Sequence, residues 1–309
     1  MSQTTSHGTV TDRIGVGIAC ATAGLFGMSV MDACAKFLGA EYAVTQIMLF
    51  RNGISVLAVL AFVLVAGGGF ARLRPRHPIL LAIRTVTGLG AAWLFFTGLR
   101  FLPLADAFAI AFAAPLFITA LSVPVLGERV GFRRWAAVVV GFLGVLVVVQ
   151  PGAAAFRLEA LLPLGAAVCY ALSVLVGRRM ARAMTTSAII FWPSLFIVAI
   201  TGLMMPIEGK VPVGNDLSLF VFLGVSGTAG LILVTQAYRY APASVIAPFD
   251  YSVLVWGVIF GWVIWQDVPG SNVWIGSAIL IACGLYILRR ETRKLPVPQP
   301  LPGPMRPTS

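Results

Sequence analysis

The chain has 309 residues, of which 59% are hydrophobic and only 11% charged. A water-soluble domain cannot hide that much apolar surface, so the composition excludes one and points to a protein embedded in lipid. The net charge of +11 sits in short basic clusters between apolar runs, the pattern of cytoplasmic loops rather than of a nucleic-acid-binding face, so no nucleic-acid partner is expected.

A span needs roughly 20 apolar residues at about 1.5 Å each, and ten segments come close to that. After a polar tail (1–13) the spans are expected at Ile14–Leu38, Val44–Ala66, Ile79–Leu99, Leu104–Leu126 and Phe132–Val149. Five more follow at Leu158–Gly177, Ser187–Met205, Leu217–Tyr238, Val245–Trp265 and Val273–Leu288, the last one short. The end (291–309) is proline-rich and is expected to be disordered. The first apolar run lacks a small-residue cleavage site and is too long for a signal-peptide core, so it is expected to be retained. Cys20, Cys34, Cys169 and Cys283 all fall inside apolar runs, without metal or disulfide spacing. The two histidines, His7 and His77, lie in a tail and a loop. No metal or other cofactor is expected. No Walker loop, HExxH, GxSxG or CxxC motif appears, so nothing points to an enzyme.

The stretch LADAFAIAFAAPLFITALSVPVLGE (Leu104–Glu128) opens after Pro103, carries Pro115 near its middle and ends in a Gly–Glu turn. A shift of 139 residues lands on SVIAPFDYSVLVWGVIFGWVIWQD, which opens after Pro242 and ends in a Gln–Asp turn. The same shift pairs Gly88 with Gly227, Arg100 with Arg239, Gly131 with Gly270 and Trp135 with Trp274. Turn residues and loop charges falling in step indicate a duplicated unit, 14–152 and 153–290. With both termini inside, the clusters at Arg72, Arg74 and Arg76, at Arg129, Arg133 and Arg134, and at Arg178, Arg179 and Arg182 all become cytoplasmic. Five spans per unit is an odd number, so the second unit must lie upside down. The expected fold is an all-α membrane protein of ten transmembrane helices in two inverted five-helix repeats.

The stretches LPLADAFAIAFAAPLFITALSVPVLGE (102–128) and GFRRWAAVVVGFLGVLVVVQPG (131–152), with the weaker second copy through Trp274, resemble the EamA-type repeats of bacterial drug/metabolite transporters. MDACAKFLG (31–39) and FRN (50–52) further resemble the branch that holds S-adenosylmethionine-type and riboflavin-type carriers. The resemblance covers about residues 14 to 290. It implies a multi-pass protein of the bacterial inner membrane, both termini cytoplasmic, acting as monomer or homodimer on a small-molecule substrate.

A charge at the bilayer centre costs about 2.5–3.5 kcal/mol, so charges within spans need a reason. Ser29, Asp32 and Lys36 share a face of the first span. Either they form a polar wall of the substrate cavity, with Asp32 taking a cation or proton, or Asp32 and Lys36 simply pair. Arg51, beside Asn52, either grips an anionic or carbonyl group of the substrate or serves as a counter-ion between the first two spans. Asp250 and Tyr251 follow Pro248 in the ninth span. Asp250 is the candidate proton-coupling site, and its competing reading is a water-exposed acid or a partner for Arg84. Arg84 by itself reads as a helix-end residue snorkelling to the interface. Asp106 reads as an N-terminal helix acid. Trp93, Phe112, Tyr170, Trp192, Gln236 and Tyr238 are candidates to line a cavity for a planar ligand, against a reading as packing residues or interface anchors.

The function expected is secondary active transport of a small metabolite, a vitamin such as riboflavin or a nucleoside- or S-adenosylmethionine-like compound, coupled to protons or to exchange. Export of amino acids or drugs is the alternative, and a membrane-embedded lipid-modifying enzyme is the alternative from a different class.

Overall fold

The computed structural model describes residues 7–65, 69–128, 130–151, 157–181 and 183–292. The described helices in chain order are α1 (His7–Leu38), α2 (Val44–Val65), α3 (Pro78–Phe101), α4 (Leu104–Ala111), α5 (Ala114–Leu126) and α6 (Phe132–Val149). They continue with α7 (Leu161–Met180), α8 (Thr186–Glu208), α9 (Asp216–Tyr240), α10 (Ala243–Ile246), α11 (Ser252–Trp265) and α12 (Ser271–Thr292). Together they make ten spans long and apolar enough to cross a membrane, each an all-helical solution to satisfying the backbone in lipid. The fifth span has the bounds that the sequence pattern gives. The tenth span, Ser271–Arg289, is among the shorter ones at 19 residues, although its helix α12 runs on to Thr292. Residues 1–6 of the polar tail and 293–309 of the proline-rich tail lie outside the described residues.

Two spans are broken, and prolines break them. Pro115 has no N–H to offer the carbonyl of Ala111, so the fourth span tightens between α4 and α5. There the amides of Ala113 and Leu116 reach back three residues, to Ile110 and Ala113, at 3.0 Å each. The ninth span holds Pro248 in a 3-10 stretch, Ala247–Tyr251, between α10 and α11. The breaks sit at corresponding places in the two halves.

The extensive helix contacts run between the halves. α1 packs on α9 as α7 packs on α3; α2 meets α9 as α8 meets α3; α11 meets α1 as α5 meets α7. The pairs α2–α8 and α6–α12 each join a helix to its own repeat mate across the same local two-fold axis. With an odd number of spans per half that axis lies in the membrane plane, which makes the halves inverted repeats.

Small residues permit the closest of these crossings. A Cβ on Gly24 would stand 2.8 Å from the Gly230 carbonyl oxygen, and one on Gly230 would stand 2.7 Å from the Gly24 carbonyl oxygen. Gly144 and Gly276 make a similar backbone approach between α6 and α12.

The bundle has a terminal end, where α1 starts and α12 finishes, and a distal end, where α1 stops and α2 begins. Hydrogen bonds tie α2 and the loops beside it to α8 and the segments flanking it at both. Distally, Gln46 clamps the Lys210 backbone, donating to its carbonyl at 2.8 Å and accepting from its amide at 3.1 Å. Thr45 donates to Glu208 at 3.0 Å, and Tyr42 donates to Asp216 at 2.6 Å. At the terminal end the Trp192 indole donates to the Leu73 carbonyl at 2.6 Å, and the Thr185 hydroxyl donates to the Arg72 carbonyl. Trp192 is therefore an anchor of α8 rather than a cavity residue.

Candidate functional site

The charged residues of the first two spans meet in the interior. Asp32 on α1 is only 9% exposed, and its charge and that of Arg51 on α2 act on each other. They form no ion pair within 4 Å. The Arg51 guanidinium instead lies 5.5 Å over the ring of Phe96 on α3, a cation–π contact. Asn52, the neighbour of Arg51, donates to the Met48 carbonyl of its own helix at 2.9 Å, so its amide nitrogen is already used locally. Nothing in local sequence spacing brings the third-span ring of Phe96 beneath a second-span arginine.

Lys36 does not pair with Asp32. Its ammonium crosses to the distal ends of both broken spans. It donates to the Leu102 carbonyl before α4 at 2.6 Å, stands 3.8 Å from the Asp267 carboxylate after α11, and lies 5.0 Å over the Trp265 ring. Asp106, in the first turn of α4, faces this cluster with one buried carboxylate oxygen that has no partner among the described residues. One side chain thus ties the first helix of one half to the distal ends of the broken spans of both halves.

The breaks themselves touch. Phe112, at the end of α4, and Tyr251, at the start of α11, place their ring centroids 5.1 Å apart. The Tyr251 hydroxyl lies where α12 comes closest, at Gly284, whose missing side chain makes room for it. Trp93 is half-buried on α3 and packs against the central core. Gln236 is half-buried on α9. Gly257 of α11 receives the Phe108 ring of α4.

Toward the terminal end, Tyr238 of α9 donates to Asp250 at 3.4 Å. Tyr170 of α7 shares a helix face with the buried Pro163, Ala166 and Ala167, seven, four and three residues before it, yet is 53% exposed. The charges of Asp250, Arg84 and Arg178 all act on Tyr170. Arg84 does not snorkel. It inserts against Gly177 of α7 and donates to the Ser173 carbonyl.

Two copies of one family model, the EamA-like transporter family, match residues 15–150 and 157–290. The chain belongs to the EamA-like transporter family. Among curated relatives, a riboflavin transporter of Rhizobium johnstonii is 32% identical over 229 residues, 73% of this chain and 75% of the relative. An S-adenosylmethionine uptake transporter of Rickettsia prowazekii is 27% identical, covering 90% of this chain and 94% of the relative. One solved crystal structure shares the fold with a TM-score of 0.60 at 23% identity, covering 88% of this chain and 99% of that one. A multi-pass membrane transporter is what the matched family, the span lengths and the paired repeats agree on.

Proposed function

We propose that this member of the family moves a small metabolite with a planar part and polar edges, bound between the two halves near Asp32, Arg51 and the Phe112–Tyr251 contact. The observation that carries the reading is the buried pair Asp32 and Arg51, of opposite charge on adjacent helices and without an ion pair to quench them. Leaving both charges unpaired in a membrane interior is costly. A ligand that accepts from the guanidinium fork and donates to the carboxylate would repair that, while Phe96 and Trp93 supply flat surfaces nearby. The names of the relatives favour a vitamin such as riboflavin, or a nucleoside- or S-adenosylmethionine-like compound.

The basic clusters at the terminal end support a bacterial inner-membrane protein with both termini cytoplasmic. On that orientation Tyr170, Tyr238 and Asp250 lie toward the cytoplasmic side, and Asp250, which accepts from Tyr238, is our candidate for a coupling proton. A single chain contains both halves of the pathway, so a monomer suffices.

The test is uptake into vesicles of riboflavin, S-adenosylmethionine, nucleosides and amino acids, with and without a proton gradient. Saturable uptake of one planar compound that Asp32→Asn and Arg51→Gln each abolish supports the reading. Transport that survives both substitutions refutes the site, and saturable uptake of amino acids alone refutes the substrate class.

A further inference from the structure

The distal latch has a mirror image that is unmade in this conformation. Within the α1–α2 and α7–α8 hairpins the repeat spacing is 142 residues: Leu38 and Met180 end their helices, and Val44 and Thr186 begin the next. In the later helices it is 139, which relates Gly88 to Gly227. The packing confirms the registration. Ser173 stands against Gly88 where Met31 stands against Gly227, and Met31 and Ser173 are 142 apart.

The same registration carries Lys36 onto Arg178, Leu102–Pro103 onto Ala241–Pro242, and Asp267 onto Glu128. Every chemical part of the latch is therefore repeated at the terminal end. There is a cation two residues before its helix stops, a carbonyl before the proline that opens a broken span, and a carboxylate just past the far end of a broken span. At the distal end the three are joined. At the terminal end Arg178 and Glu128 are both exposed, and neither side chain has a hydrogen bond or ion pair among the described residues. The half-exposed Tyr170, on whose charge environment Arg178 acts, lies two turns deeper on the same helix.

We propose that Arg178 closes the terminal end by engaging Glu128 and the Ala241 carbonyl in the alternate conformation, when Lys36 has released Leu102 and Asp267. The two latches are mutually exclusive because each draws together, at its own end, the same pair of broken spans. The inference rests on the transport reading, but its test needs no substrate.

The experiment places cysteines at both positions, Glu128→Cys with Arg178→Cys, in a chain whose four native cysteines are replaced by serine, and treats membranes with a short bismaleimide. A bridging reagent is used because an Arg–Glu pair holds its Cα atoms farther apart than the ~5.5–6 Å of a disulfide. After a chase with N-ethylmaleimide, intact mass separates a bridged chain, which carries one bismaleimide and no N-ethylmaleimide, from an unbridged chain, whose two thiols each carry a bismaleimide or an N-ethylmaleimide. Adding Lys36→Met should raise the bridged fraction about tenfold by shifting the population toward the unlatched distal end. An unchanged fraction overturns the proposal. Asp267→Asn, which leaves the Lys36–Leu102 bond in place, provides a milder shift should Lys36→Met fail to fold, and must move the bridged fraction in the same direction. A failed uptake panel leaves this result standing, so the two failures are distinguishable.

Discussion

Phe112 and Tyr251 are separated by the repeat spacing of 139 residues, and their rings meet 5.1 Å apart, so each touches its own symmetry mate. They stand on the local two-fold axis, at the points where both broken helices change pitch. Any motion that exchanges the two ends of the bundle must pivot or slide there. Phe112→Ala and Tyr251→Ala should each slow initial uptake about tenfold. The double variant should be no slower than the worse single, because both remove one contact. Phe112→Tyr should stay within about twofold of the parent, since the ring is kept.

Asp250 and its donor Tyr238 give a second expectation. If Asp250 carries the coupling proton, Asp250→Asn abolishes uphill uptake and leaves counterflow exchange. Uphill accumulation at the parental level in that variant refutes the assignment.

Glycines at the helix crossings are not equivalent. Gly230→Leu would drive a side chain into the Gly24 backbone and should destabilise by about 1–3 kcal/mol, as overpacking does. Gly53, inside α2, has nothing within 4 Å of where a Cβ would sit. Gly53→Ala should stabilise the helix by about 0.5–1 kcal/mol. Detergent-solubilised melting curves compare the two directly.

The distal clasp predicts a response to alkali. Tyr42, outside the spans, has its phenol held above the usual 10.0 chiefly by donating to the Asp216 carboxylate, against the opposing Val213 amide. A raised folded-state value means the clasp contributes fully below pH 10 and is lost as pH rises through the folded value. Melting temperature should therefore fall more steeply above pH 10 in the parent than in Tyr42→Phe, which lacks the bond throughout. Parallel alkaline slopes would refute the link.

The ten spans, the duplication and the inverted arrangement were readable because hydropathy, prolines and loop arginines are local signals. Proline positions even marked both helix breaks. The partners of the charged residues were not readable. Sequence spacing sets Lys36 beside Asp32, four residues away on the same helix, whereas its contacts are Leu102 and Asp267 at the ends of other spans. Arg51 finds Phe96 and Arg84 finds Ser173 in the same way. Helical periodicity says which residues share a face, but not which face of another helix it meets.

Because α1 packs on α9, α3 on α7, α2 on α8 and α6 on α12, neither half owns a core. During synthesis the first five spans must wait in the bilayer with their glycine grooves and Asp32 unmatched until the second five emerge. Membrane quality control should therefore remove the first half made alone. The two halves produced as separate polypeptides in one cell should rescue each other.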